Sequence, residues 1–206
     1  MHEENLNFIL EQFIDPEYIE PESSRYLLIE KQESGYTELN VEIRGENICI
    51  AQYDKKSRCG FWNRSSETGL SRCVEHAILQ HTSNGWILHL IEMKSRVDNR
   101  KWFNIRLKNR ASYLDIKALS AILDIHIIKV CTYTTYSEDR FSEHFDETNP
   151  RAKVAALGER RINPVDEWNS GKMHITIGLN CEIIFHHKSL LMNRTNQKLQ
   201  GKLEIG

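Results

Sequence analysis

Residues Cys73 to Lys94 read CVEHAILQHTSNGWILHLIEMK, a stretch that predicts two buried β-strands joined by a turn and so decides the fold. Both arms are rich in aliphatic residues, and the link at 81–85, HTSNG, has the composition of a turn. Each arm nevertheless carries an acid, Glu75 in the first and Glu92 in the second. An ionised carboxylate in an apolar strand is costly unless it is paired or binds a metal. The two acids therefore need a common explanation.

The register of this hairpin decides which residues face the acids. If Ser83–Asn84 form the tip, Glu75 lies directly opposite Glu92, and if Asn84–Gly85 form the tip, Glu75 faces Lys94. In either register the side-chain period of two places Glu75, Glu92 and Lys94 on one face, at the same end of the hairpin. The sequence therefore predicts two carboxylates and one ammonium that converge on one point.

The composition is that of an ordinary globular protein. The chain has 206 residues, of which 40% are apolar and 27% charged, and its formal net charge of -2 gives no indication of nucleic-acid binding. We expect a single domain over residues 1–206, with the tail at 189–206 only partly ordered. The acidic N-terminus lacks a signal pattern, and no apolar run approaches a membrane span, so we expect a cytoplasmic protein. The five cysteines never occur in CxxC spacing, which argues against a disulfide framework or a zinc ribbon.

Hydrophobic periodicity and turn residues predict elements on both sides of the hairpin. The predicted helices are at 3–14, 100–123 and 151–157. The predicted strands are at 25–30, 38–44 and 47–53, which we interpret as an antiparallel meander, and at 125–133, 172–178 and 181–187. The chain order around the hairpin is then strand, strand, helix, strand.

The loop predicted at 54–72 mixes basic residues with Phe61 and Trp62. Such a mixture fits contacts with phosphates and stacking on bases, and it fits equally a solvated loop that two aromatic side chains hold in place. A second basic stretch follows the hairpin, because the residues from Lys94 to Arg110 include seven Lys or Arg and one acid, Asp98.

An acid on one strand, Glu-x-Lys at the end of the next, and then a helix and a further strand resemble the PD-(D/E)xK nuclease superfamily. The residues that carry the resemblance are Glu75, Glu92, Met93 and Lys94, and with the following helix and strand they cover roughly Arg72 to Tyr133. The resemblance implies a restriction endonuclease-like α/β fold, with a central mixed β-sheet and flanking helices. The N-terminal strands would add an antiparallel β extension to it.

The resemblance also implies roles for individual residues. Glu75, Glu92 and the Met93 carbonyl would bind Mg²⁺ or Mn²⁺, and Glu75, Glu92 and Lys94 would be the catalytic residues, with Lys94 as the catalytic ammonium. The first acid is usually aspartate in this superfamily, and Glu75 is one methylene longer. The basic start of the following helix would bind the nucleic-acid backbone, and the candidate residues there are Arg96, Arg100, Lys101 and Arg106.

The function that follows from the resemblance is metal-dependent hydrolysis of phosphodiester bonds in DNA, with RNA as the alternative substrate. The setting would be prokaryotic restriction, repair or antiviral defence. We expect a homodimer or a subunit of a larger assembly, and no membrane association. Two alternatives stay open: a catalytically inactive nuclease-like subunit that binds protein or nucleic acid, and an unrelated α/β interaction protein in which Glu92 and Lys94 merely solvate a strand end.

Overall fold

The computed structural model describes residues 3–32, 35–56, 61–62, 69–141, 163–195 and 198–206. Among these residues there are three α-helices: α1 (Glu3–Phe13), α2 (Asn99–Ile122) and α3 (Pro164–Ser170). The first strands along the chain are β1 (Arg25–Gln32), β2 (Gly35–Ile43), β3 (Asn47–Ile50), β4 (His76–Thr82), β5 (Gly85–Met93) and β6 (Arg96–Val97). They are followed by β7 (Ile127–Tyr136), β8 (Glu138–Asp139), β9 (Lys172–Gly178), β10 (Cys181–Leu191), β11 (Asn193–Thr195) and β12 (Lys198–Ile205).

Two of the predicted segments fall wholly or partly outside the described residues. The helix predicted at 151–157 lies outside them, as does most of the loop predicted at 54–72. In the described part of that loop, the Trp62 indole Nε1 donates a hydrogen bond to Asp115 Oδ1 of α2 at 3.0 Å. This contact agrees with the interpretation of a loop held in place by its aromatic residues, and it leaves the nucleic-acid interpretation open.

The hairpin predicted from the opening stretch forms as β4 and β5, which pair antiparallel. Leu79 lies opposite Leu88 and Thr82 opposite Gly85, so the tip is Ser83–Asn84 and the first of the two registers is confirmed. Gly85 has φ +132°, and a Cβ there would lie 2.9 Å from Ile128 Cγ2. The tip therefore requires glycine at this position.

The hairpin lies inside a six-stranded mixed sheet with the order β3-β4-β5-β7-β10-β9. After β5 the chain forms α2 and returns as β7 in parallel to β5, which confirms the predicted order of strand, strand, helix and strand. Helix α2 begins after Asp98, whose side chain accepts a hydrogen bond from the Lys101 backbone N–H at 2.8 Å. This arrangement confirms the α/β class.

A four-stranded sheet, β1-β2-β12-β11, covers the face of the six-stranded sheet opposite the helices. One hydrophobic cluster joins the six-stranded sheet to residues of α1 and α2, including Trp102 and Ile116. A second cluster joins Ile78 and Ile91 of the hairpin to residues of the four-stranded sheet such as Val41. The hairpin thus has one face toward the helices and the other toward a second sheet.

One prediction about the N-terminal β extension is wrong. β3 does not continue a meander with β2, because it pairs with β4, with Ile48 opposite Leu79. All four residues of β3 are buried, as expected for a strand inside the main sheet rather than for a half-exposed accessory strand. The tail at 189–206, expected to be partly ordered, contributes β12, which pairs in parallel with β2 and buries Leu203.

Two further features concern the described residues alone. None of the described helices is long and apolar enough to span a membrane. No disulfide joins the cysteines at 49, 73, 131 and 181, which are the four in the described ranges.

Candidate active site

The two acids of the hairpin lie side by side on the face that packs against α2. Glu75 immediately precedes β4 and Glu92 is the penultimate residue of β5, and antiparallel pairing brings these two positions together. Glu75 is 3% exposed and Glu92 is fully buried. Two carboxyl groups are therefore held in the interior, where each needs a partner.

Lys94 supplies one partner for both acids. Its Nζ lies 2.7 Å from Glu75 Oε1, 2.6 Å from Glu92 Oε1 and 3.0 Å from the Met93 carbonyl oxygen. Thr135 of the neighbouring strand β7 fixes the Lys94 backbone, because its Oγ1 accepts a hydrogen bond from the Lys94 N–H at 2.9 Å. The structure thus brings together the three side chains that the period-two pattern placed on one face, with the Met93 carbonyl beside them.

Lys108 of α2 is a fourth member of the site, and sequence reasoning missed it. Its Nζ lies 3.0 Å from Glu75 Oε1 and 2.7 Å from Glu92 Oε1, the same two oxygens that Lys94 contacts. The sequence showed a basic helix start but not which of its basic side chains turns toward the hairpin. Helical spacing gives one indication that Lys108 faces inward, because it lies one turn before Ser112, a small polar residue of the buried face.

Hydrogen bonds hold α2 and the start of β4 in this arrangement. The Val74 backbone N–H donates to Ser112 Oγ at 3.0 Å, which fixes the first hairpin arm to the helix. Tyr53 connects both elements: its backbone N–H donates to the Glu75 carbonyl at 2.7 Å, and its hydroxyl donates to Asp115 Oδ2 at 2.5 Å. The residue that precedes β4 is therefore positioned by α2 and by the turn at Tyr53.

The two acids have opposite pKa shifts. Burial opposes ionisation of Glu75, but the adjacent Glu92 carboxyl and the ammonium groups of Lys94 and Lys108 outweigh it and lower the pKa of Glu75 to about 2. Burial and the negative charge of Glu75 raise the pKa of Glu92 to about 8, although both lysines oppose this shift. Glu75 is thus the carboxylate of the pair, and Glu92 holds a proton near neutral pH in the absence of a cation.

Glu92 also carries a buried atom whose hydrogen-bonding capacity is unused. Its Oε2 has no hydrogen-bond partner among the described residues. An ionised Glu92 would leave this oxygen unsatisfied in the interior, which costs free energy. A proton on the carboxyl group or a bound cation would remove that cost.

The oxygens around Lys94 fit a divalent cation. Glu75 Oε1, Glu92 Oε1 and the Met93 carbonyl all lie within 3.0 Å of the Lys94 ammonium, and hard oxygens are the ligands that Mg²⁺ and Mn²⁺ prefer. The described residues contain no group of three or more His, Cys, Asp or Glu side chains suited to a metal, and the third protein oxygen beside Lys94 is the Met93 carbonyl. The ammonium occupies the position of a cation, and a metal would have to displace it.

The four basic residues expected to contact nucleic acid have different surroundings. Arg100 is exposed, Arg96 is exposed and pairs with Glu138 at 2.9 Å, and Lys101 is partly exposed and donates to the Arg96 carbonyl at 3.1 Å. These three residues, Arg96, Arg100 and Lys101, are called the basic surface below.

Arg106 does not belong to the basic surface. It is 8% exposed, its Nε lies 2.9 Å from Glu167 Oε2, and it also donates to the His174 carbonyl. The helical period explains its position, because Arg106 shares the buried face of α2 with Trp102 and Asn109. Its contacts join α2 to α3 and β9, so its role in this structure is to hold the helix layer together.

Comparison with protein-family models, with curated proteins and with solved structures finds no match for this chain. What the chain does has to be inferred from the chemistry of the site formed by Glu75, Glu92, Lys94 and Lys108.

Proposed function

We propose that this protein is a metal-dependent nuclease of the PD-(D/E)xK type, with a restriction endonuclease-like fold, that hydrolyses phosphodiester bonds of DNA, with RNA as the alternative substrate. The observation that carries the proposal is the convergence of Glu75 Oε1, Glu92 Oε1 and the Met93 carbonyl on one cationic atom. The order of β4, β5, α2 and the parallel β7 supports it, since the resemblance implies the same order.

Each residue of the site has a part in this chemistry. Mg²⁺ or Mn²⁺, when bound, would lower the pKa of a bound water and neutralise charge on the phosphate. The Met93 backbone N–H donates to Glu75 Oε2 at 2.8 Å, which orients that carboxylate and leaves its Oε1 for the cation. Lys94, displaced from the carboxylates, would orient the attacking water or stabilise the charge that develops on the phosphate.

The basic surface supports nucleic acid as the substrate. Arg96, Arg100 and Lys101 follow Lys94 closely in the chain and surround the start of α2. Contacts between such side chains and backbone phosphates give binding that weakens steeply with salt. We place the activity in prokaryotic restriction, repair or antiviral defence, in a homodimer or as a subunit of a larger assembly.

A second candidate function is a nuclease-like subunit without catalysis that binds protein or nucleic acid. The observation that favours it is the set of ion pairs in the site, in which two ammonium groups contact the same oxygen of each acid. Such a network gives both acids cationic partners without a metal ion and can serve structure alone. The two functions differ in whether a divalent cation replaces the Lys94 ammonium.

Cleavage assays separate the two functions. Plasmid and single-stranded DNA are incubated with and without Mg²⁺ or Mn²⁺, using the wild type, Glu92→Gln, Lys94→Met and the control Glu42→Gln, whose acid is outside the site and pairs with Lys202. We expect cation-dependent cleavage by the wild type and the control, and none by the two site variants.

Cleavage that survives both site substitutions would contradict the assignment of the site. A wild type that never cleaves but binds DNA in a salt-dependent way would favour the second function.

A further inference from the structure

Lys108 and Lys94 contact the same two carboxylate oxygens from different elements of the fold. Lys94 follows β5, whereas Lys108 belongs to the third turn of α2. Each ammonium lies within 3.0 Å of both Glu75 Oε1 and Glu92 Oε1. One lysine would be enough to give each acid a cationic partner, so the second ammonium needs an explanation of its own.

The two lysines differ in what else they contact. Lys94 Nζ also donates a hydrogen bond to the Met93 carbonyl oxygen, at 3.0 Å, and so lies where all three candidate metal ligands converge. Among the described residues, Lys108 Nζ donates hydrogen bonds to the two carboxylate oxygens and to no backbone carbonyl. A cation that binds the three oxygens would therefore occupy the position of Lys94, and it would deprive Lys108 of the carboxylates without taking its place.

Lys108 is also able to leave the carboxylates. Its side chain is 22% exposed, whereas Glu92 beside it is completely buried, so part of the Lys108 side chain reaches solvent. A lysine side chain has a flexible four-carbon stem and can reach a nearby anion while its backbone stays in the helix.

The charges of the site indicate how much negative charge that anion can carry. With both acids ionised, the four side chains carry two negative and two positive charges and sum to zero. A divalent cation then gives the site two positive charges in excess. A phosphodiester carries one negative charge and gains a second as a hydroxide nucleophile adds to phosphorus, so the excess matches the transition state. Without Lys108 the excess would be one.

We propose that Lys108 is the phosphate-binding residue of this site: its ammonium holds Glu75 and Glu92 in the cation-free protein and binds a phosphate oxygen of the nucleic acid once a divalent cation holds the carboxylates. This inference rests on the proposed function and extends it from the cation to the substrate. Lys108 acts on a phosphodiester group and reads no base.

The test measures cation binding and phosphate binding separately from cleavage. The variants are Lys108→Met, Lys108→Arg and the matched control Lys117→Met, which changes an exposed lysine of the same helix whose Nζ lies 5.7 Å from the Tyr113 ring centroid. Mn²⁺ affinity is measured by isothermal titration calorimetry. Binding of a short fluorescein-labelled single-stranded oligonucleotide is measured by anisotropy in Ca²⁺, together with thermal unfolding and cleavage in Mg²⁺.

We expect Lys108→Met to bind Mn²⁺ about tenfold more tightly than the wild type, because a like charge that competes for the carboxylates is gone. It should bind the oligonucleotide in Ca²⁺ about tenfold more weakly, because a charge-assisted contact to phosphate is lost. Lys108→Arg should recover most of the oligonucleotide binding, and Lys117→Met should match the wild type in both measurements. If Lys108→Met does not fold, Lys108→Gln takes its place.

The outcomes distinguish this inference from the proposed function. Unchanged or weaker Mn²⁺ binding by Lys108→Met, or unchanged oligonucleotide binding in Ca²⁺, would overturn the role of Lys108. If Lys108→Met shows both expected changes in binding but the wild type never cleaves DNA, the result would contradict the nuclease and support the inference. A wild type that binds no Mn²⁺ would overturn both.

Discussion

Glu92 is fully buried at the end of β5, and its protonation decides what the site can bind. Burial and the adjacent Glu75 charge raise the pKa of Glu92 to about 8, and its Oε2 has no hydrogen-bond partner among the described residues. Two ammonium groups already contact its other oxygen, Oε1, and a proton or a metal ion would relieve the carboxyl group further. Cation binding near neutral pH should therefore release a proton from Glu92, and it should strengthen as the pH rises toward 8.

The contribution of Glu92 to the stability of the cation-free protein should fall as the pH rises from about 5 to about 9. The raised pKa of Glu92 means that the folded state binds a proton that the unfolded state has lost, so this contribution is complete below the ordinary pKa of 4.5 and disappears as the pH passes about 8. Glu75, whose pKa is lowered to about 2, stays ionised throughout this range. The melting temperature of the wild type minus that of Glu92→Gln should therefore decrease across this range, because the other titrating groups are common to both proteins, and a constant difference would contradict the assignment.

Substitution of Arg106 should lower stability, whereas substitution of Arg100 should weaken oligonucleotide binding. Arg106→Ala leaves the buried Glu167 without its guanidinium partner, so we expect a loss of about 3–5 kcal/mol in the free energy of unfolding. Arg100→Ala removes an exposed charge, so stability should stay unchanged while oligonucleotide binding weakens and depends less steeply on salt. Urea unfolding and anisotropy titrations over a salt series measure the two effects.

If Arg106→Ala unfolds at the same urea concentration as the wild type, the pair with Glu167 contributes nothing to the helix layer. If Arg100→Ala keeps the full salt dependence, Arg100 makes no contact with phosphate.

Residue-level patterns predicted part of the site for a simple reason. Glu75, Glu92 and Lys94 lie on β-strands or directly beside them, where the period of two assigns a face as soon as the hairpin is recognised. Lys108 lies on a helix, where the face that turns inward depends on the helical phase and on how α2 crosses the sheet. The same uncertainty placed Arg106 on the surface, although Glu167 holds it inside.

At the level of elements, the tail of the chain is part of the core rather than an appendage. β12 pairs in parallel with β2 along its whole length, from Lys198 opposite Tyr36 to Ile205 opposite Ile43. The stretch KLQGKLEI alternates apolar and polar residues, but its polar composition masked this pattern. Its partner lies at the other end of the chain, and a sequence pattern does not identify a strand's partner over such a separation.

Leu203→Ala in β12 should lower the free energy of unfolding by about 2–5 kcal/mol, because it leaves a cavity between the two sheets. Leu203 is buried in the cluster that β12 shares with the hairpin residues Ile78 and Ile91. The matched control is Leu27→Ala in β1, where the side chain is exposed and the expected change is within about 0.5 kcal/mol. Equal effects in urea unfolding would show that the second sheet does not stabilise the hairpin.

At the level of the whole molecule, the layers restrict access to the acids. The hairpin is covered by α2 on the face that carries Glu75 and Glu92, and by the four-stranded sheet on the other. Lys94 and Lys108 are the more exposed members of the site, with 27% and 22% of their side chains accessible. A cation would therefore reach the carboxylates past the two ammonium groups that now neutralise them.

The formal net charge of -2 is consistent with such a site but does not reveal it. The charges that matter are local: two acids and two lysines inside the protein, and the basic surface beside them. Global composition averages over these groups, whereas the fold separates them into an interior cluster and an exposed face.

Calorimetric titration of Mn²⁺ into the wild type and Glu92→Gln at pH 8 tests the cation site most directly. The site predicts one Mn²⁺ per chain in the wild type, and binding weaker by about 100-fold or more in Glu92→Gln, because the variant keeps the shape of the side chain but loses an anionic ligand. Glu42→Gln should bind as the wild type does. Equal affinity in the wild type and Glu92→Gln, or no binding by the wild type, would contradict a divalent-cation site at Glu75, Glu92 and Met93.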